Sequence, residues 1–235
     1  MEFVVCAGVI LVGALVQGSI GFGLNLLSAP FVALVVPEAL PATLVLVALP
    51  SAIANAAREP HAMNRVALPW MLAGALPGTV LGLLVVTAVD ASSLATLVGA
   101  ITLTGVALSL LSPPVPVTSG TSFVAGFISN IFGTAAAVGG PPVALLLQRA
   151  TGPTARSTLG VFFAVSALMS IVGYVVADKV TGDHLLFALA LVPFMAAGLW
   201  SSKHLHQFVD GGWLRPSVLA LSAIAGVAAI VNGLT

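Results

Sequence analysis

Two stretches of this sequence carry residues able to bind a small solute. In the first, Gln17-Gly18-Ser19-Ile20-Gly21-Phe22-Gly23, glycines strip side chains from the backbone, while Gln17, Ser19, Asn25 and Ser28 place neutral polar groups around it. In the second, Ser129, Asn130, Gly133 and Thr134 precede Val138-Gly139-Gly140-Pro141-Pro142. Runs this rich in glycine and proline interrupt a helix. A helix that restarts after such a break aims free N–H groups and the positive end of its dipole at the space before it. Two restarted helices facing one another would cradle an anion without a cationic side chain. The candidate substrate-binding residues are therefore Gln17, Ser19, Gly21, Gly23, Asn25, Ser129, Asn130, Gly133, Thr134, Gly139 and Gly140. In the competing reading, the small residues let helices touch and the amides bond between them. A single break favours that reading; a matched pair favours the binding site.

Other chemistry is sparse. Glu38, Arg58, Glu59, Arg65 and Arg156 fall near the ends of apolar segments rather than inside them. A proton relay across a membrane needs a titrating group within a span, so the coupling is not legible here. His61, His184, His204 and His206 fall in expected loops, where solvation explains them better than metal binding, and the lone Cys6 makes neither a disulfide nor a zinc site by itself. No nucleophile with a matched base, no dinucleotide loop after a strand and no Walker-type sequence is present, so an enzyme is not expected and no cofactor is implied. A formal net charge of zero leaves no basic field to recruit nucleic acid.

The elements that must hold these stretches are membrane helices. Of 235 residues 59% are hydrophobic and 6% charged, with a mean hydropathy of +1.17, too few charges to cover the surface of a soluble domain. Met1-Glu2-Phe3 lacks the basic start of a cleaved signal peptide. The first apolar stretch covers 3–36 and is interrupted at 17–23; plain segments follow at 41–57, 66–89 and 93–111. Ser112-Pro113-Pro114-Val115-Pro116 cannot continue a helix and separates two halves. The second half repeats the plan, with a broken segment at 122–148 and plain segments at 157–177, 184–202 and 216–232. The expected organisation is a first membrane repeat at 1–111, a proline-rich cytoplasmic connector at 112–121 and a second membrane repeat at 122–235.

The duplication shows in residue register: Gly21, Pro30 and Pro41 fall on Gly133, Pro142 and Pro153 at one offset, and Pro77 and Gly82 fall on Pro193 and Gly198 after a short insertion. Charge then chooses the topology, because Lys and Arg favour cytoplasmic loops. If each broken segment crossed once, the basic residues would divide between both sides. If each enters and returns, Arg58, Arg65, Arg149, Arg156, Lys203 and Arg215 share one face, with Lys179 opposite among Glu2, Glu38, Asp90, Asp178 and Asp183. The second arrangement predicts an all-α polytopic protein of two inverted repeats. Each repeat is a broken or re-entrant helical hairpin plus three transmembrane helices, and both termini are periplasmic. Inverted repeats with broken helices place a substrate site near mid-membrane. Trp70, Trp200 and Trp213 lie near segment ends, as interfacial belts do. Gly74, Gly78 and Gly82 form a close-packing face that is expected to meet another helix internally, a homodimer contact being the alternative.

The run from Gly13 to Gly23 followed by Pro30, with Gly126-Phe127-Ile128-Ser129-Asn130-Ile131-Phe132-Gly133 and Gly139-Gly140-Pro141-Pro142 in the second half, resembles the paired motifs of the TauE/SafE sulfite-exporter-like permeases. The resemblance covers essentially the whole chain; Thr134-Ala135-Ala136-Ala137 departs from the more glycine-rich second motif. It implies a bacterial inner-membrane transporter of small sulfur-containing anions such as sulfite or organosulfonates. Its expected partners are thus a small anionic substrate and membrane lipid. A non-transporting intramembrane scaffold or assembly subunit is the alternative class.

Overall fold

The computed structural model describes residues 1–209 and 214–234, and within them the fold is entirely helical, with no strand. The first half comprises α1 (Glu2–Ile20), α2 (Leu24–Val35), a 3-10 turn (Pro37–Ala39), α3 (Ala42–Arg58), α4 (Ala67–Ala88) and α5 (Ala91–Leu111). The second comprises α6 (Ser119–Ala136), α7 (Gly140–Leu146), α8 (Gly152–Val176), α9 (Gly182–Val209) and α10 (Leu214–Leu234). Among the described residues, six helices (α1, α4, α5, α8, α9 and α10) are long and apolar enough to cross a membrane.

Local sequence explains where the helices start. Asp90 caps α5 by accepting from the Ser93 N–H, Thr118 and Thr121 form a reciprocal capping box at α6, and Thr151 accepts from the Thr154 N–H at α8. Asn64 Oδ1 accepts from the N–H groups of Val66 and Ala67, satisfying donors at the start of α4. With Gly152-Pro153 opening it, α8 begins five residues before the apolar segment at 157.

Helix directions follow from which residues touch. On α2, Ser28 Oγ donates to the Val9 carbonyl, and a Cβ on Gly13 would lie 2.7 Å from the Leu24 carbonyl oxygen, so α2 runs back along α1 from a start near its middle. The third helix runs with α1, since Gln17 bonds Ser51 while Arg58 reaches Gly18. Gly74, Gly78 and Gly82 on α4 meet, in turn, Phe123, Phe127 and Ile131 of α6, which makes those helices parallel. The matching pair is α9 on α1, where Gly198 meets Leu11 and Gly18 meets Ser202. In both pairs a glycine sits directly on the partner's backbone, and no larger residue fits. The α4 glycine face is thus spent inside the bundle. Opposed pairs complete the fold: α3 on α8 through Gly160 and Ala56, and α5 on α10 through Gly99 and Gly226.

These directions gather Arg58, Glu59, Arg65, Arg149, Arg156 and Lys203 at one end of the bundle. Glu2, Glu38, Asp90, Asp178, Lys179 and Asp183 lie at the other, together with the start of α1 and the end of α10. Arg58 fastens the basic end, donating to the carbonyls of Gly18 (3.3 Å) and Leu199 (2.5 Å) and to Ser202 Oγ (3.2 Å), while Arg156 pairs with Glu59 at 2.6 Å. At the opposite end His184 caps its own helix through Thr181 and reaches the Glu38 carbonyl, a structural role. Trp70 and Trp200 are exposed on the outer surface. Trp213 and Asp210 lie outside the described residues, as do the side chains of His204, His206 and Arg215.

Candidate functional site

Each break is three residues long, shorter than the polar runs around it. Helix α1 continues through Gln17, Gly18 and Ser19 and ends at Gly21, whose φ of 92° is a left-handed cap; Gly23 follows at φ 123°. Both conformations are open to glycine and costly for other residues. Helix α6 ends at Ala137, φ 62°, four residues beyond Gly133, which is helical. The register that aligns Gly21 with Gly133 therefore misses the second turn by one helical turn. At Gly133 a Cβ would lie 3.5 Å from the Gly139 Cα, an ordinary contact, so neither the backbone nor the space demands glycine there.

The two breaks meet at the centre of the bundle. A Cβ on Gly140 would lie 3.0 Å from the Phe22 ring. Around this contact is a cavity of about 70 Å³, room for a few water-sized groups. Its first wall is Gln17, Phe22, Gly23, Asn25 and Leu26; its second is Ser129, Asn130, Gly133, Ala137, Gly139 and Gly140. Eight of the candidate residues are thus brought together. Three are not: Ser19 bonds the Leu15 carbonyl, Gly21 backs onto Arg156 and Leu159, and Thr134 turns toward Ser170 and Tyr174. These three shape the walls without lining them.

The remaining lining comes from the unbroken helices α3 and α8: Val45 and Ala48, and Phe163, Ser166, Ala167 and Ser170. Sequence reading passed over them because a serine or alanine in an apolar span is unremarkable by type. The one available signal was spacing, since Ser166 and Ser170 are one helical turn apart and share a face.

The electrostatics are those of dipoles. No side chain lining the cavity is charged. At α2 the first helical bond is Leu27 N–H to the Gly23 carbonyl, so the N–H groups of Leu24, Asn25 and Leu26 have no partner within the helix. The second break is poorer, because α7 has seven residues and its first turn holds Pro141 and Pro142, which lack N–H groups. The expected pair of equal dipole ends is therefore unequal, with α2 supplying the donors.

The amides are already engaged within the protein. Asn130 Nδ2 donates to the Ala75 carbonyl at 3.2 Å and Thr79 Oγ1 at 2.6 Å; Asn25 Nδ2 donates to the Leu44 carbonyl at 3.4 Å; Gln17 Nε2 donates to Ser51 Oγ at 2.7 Å. Ser129 Oγ donates to the Gly139 carbonyl, tying the end of the second break to α6. A larger hollow of about 270 Å³ lies between α5, α6 and α7, but apart from Thr121 its lining side chains, such as Leu108, Ile128 and Leu145, are apolar and offer an anion nothing. Among the described residues, no cluster of His, Cys, Asp and Glu could hold a metal.

Comparison with curated proteins and with solved structures returned no match. A family model described as "Sulfite exporter TauE/SafE" matches residues 5–229, spanning both halves and both breaks. This multi-pass membrane protein belongs to the TauE/SafE sulfite exporter family.

Proposed function

We propose that this chain is a secondary permease moving small sulfur-containing anions, sulfite or an organosulfonate, across the bacterial inner membrane by alternating access around the central cavity. The observation that carries this reading is the meeting of two helix breaks, from opposite halves, at one small cavity without charged side chains. Without a fixed cation, backbone dipoles bind an anion weakly enough to leave release feasible. The first break supplies donors from α2, and the second closes the cavity with bare backbone.

The paired contacts of α4 on α6 and α9 on α1 support an inverted-repeat reading, in which the halves exchange roles as access alternates. Segregated charge supports a cytoplasmic face bearing Arg58, Arg65 and Arg156, with both termini periplasmic. A scaffold would have no use for a void between two helix breaks, since packing favours filling it. Saturable sulfite flux by the purified protein in liposomes tests the proposal; absence of flux above protein-free vesicles returns the scaffold reading. Labelling of single cysteines at positions 58 and 149 in whole cells tests the topology, and labelling from opposite sides contradicts it.

A further inference from the structure

The three amides in the cavity wall turn their donors away from it. Asn130 spends both hydrogens of Nδ2 on α4, through the Ala75 carbonyl and Thr79 Oγ1, leaving Oδ1 as its uncommitted group. Asn25 gives Nδ2 to the Leu44 carbonyl, and its buried Oδ1 has no partner among the described residues. For Asn25 and Asn130 the orientation is fixed by chemistry: a flipped amide would set its oxygen against a backbone carbonyl. Ser166, 7% exposed, also has a hydroxyl without a partner, while Ser170 shares a hydrogen bond with Thr134 Oγ1 at 2.8 Å.

The cavity therefore combines donors, from the start of α2, with a carbonyl acceptor from Asn130, whereas Asn25 Oδ1 is closed off from it. A fully deprotonated oxyanion has acceptors alone and is repelled by that carbonyl. An anion that keeps one O–H satisfies both kinds of group. We infer that the transported species is a protonated monoanion, hydrogensulfite rather than sulfite dianion, which carries its own proton through the membrane. This rests on the function proposed above and adds its coupling: the substrate supplies the titrating group that the wall lacks. The nearest ionisable side chains are set back from the cavity. Arg58 and Glu59 lie at the end of α3, Arg156 lies behind Gly21 on α8, and Tyr174 donates to the Thr134 carbonyl.

The test uses the purified full chain in liposomes with an entrapped pH dye and protein-free vesicles as background, comparing sulfite with methanesulfonate, a monoanion of similar size that has no O–H. The expected result has three parts. Sulfite flux rises as pH falls through neutrality, where hydrogensulfite accumulates, and it acidifies the lumen. Methanesulfonate moves at least about tenfold more slowly at the same pH. Asn130→Ala, monodisperse, narrows that preference by removing an acceptor. Equal rates for the two anions, pH-independent sulfite flux, or an unchanged preference in folded Asn130→Ala overturns the inference while leaving the permease intact. Should Asn130→Ala fail to fold, the wild-type comparison decides alone. If neither anion moves, the proposed function fails, and this inference with it.

Discussion

Both breaks end a helix in a left-handed residue and restart it near mid-bundle, but they are built from different materials. The first uses Gly21 and Gly23 at positive φ and opens a twelve-residue helix with free N–H groups. The second turns on Ala137 and opens a seven-residue helix whose prolines remove donors. One break therefore offers free N–H donors, while the other offers shape through the bare backbone of Gly139 and Gly140. The two halves share the path of the chain through the break and differ in its chemistry.

The paired seams set the scale of the largest effect. Gly78→Leu would drive a side chain into the Phe127 carbonyl, and Gly198→Leu into that of Leu11. Each is expected to destabilise by ~3 kcal/mol or more, seen as loss of monodisperse protein or a large fall in detergent melting temperature. A mild effect at one seam and a severe one at the other would show that they are not equivalent.

Next come the breaks themselves. Gly21→Val pairs a positive φ with a Cβ 3.1 Å from the Arg156 backbone and should cost about 2–4 kcal/mol, combining backbone strain with overpacking. Gly133→Val meets neither obstacle in full and is expected to cost roughly half as much in melting assays. Equal losses would restore the register that aligns Gly21 with Gly133. Ala137→Gly should act in the opposite direction, gaining up to about 1 kcal/mol because glycine relieves the left-handed turn. The smallest effect belongs to the rim: Glu59→Gln breaks the partly exposed pair with Arg156 and should shift stability by no more than about 1 kcal/mol.

Much of this was legible in the sequence, for identifiable reasons. Glycine, proline and amide clusters marked the breaks because few residue types tolerate such backbones, and the positions of the basic residues anticipated which described loops share an end of the bundle. The turn at Ala137 was hidden because alanine gives no sign of a left-handed conformation. The wall from α8 was hidden because Ser166 and Ser170 acquire meaning only when α8 packs across the break. The amide orientations were hidden because they depend on carbonyls of Leu44 and Ala75, distant in the chain and supplied by tertiary packing.

In the function proposed here, the cavity where Phe22 meets Gly140 is the translocation site. The most direct measurement is sulfite flux in liposomes by the wild type and by Ala48→Phe, which sets a ring in the α3 wall of that cavity without altering a residue of either break. Saturable flux is expected for the wild type. Monodisperse Ala48→Phe should lose at least about tenfold of it, because a cavity of about 70 Å³ cannot hold both ring and anion. Full flux through folded Ala48→Phe would place the pathway elsewhere and contradict a translocation site in this cavity.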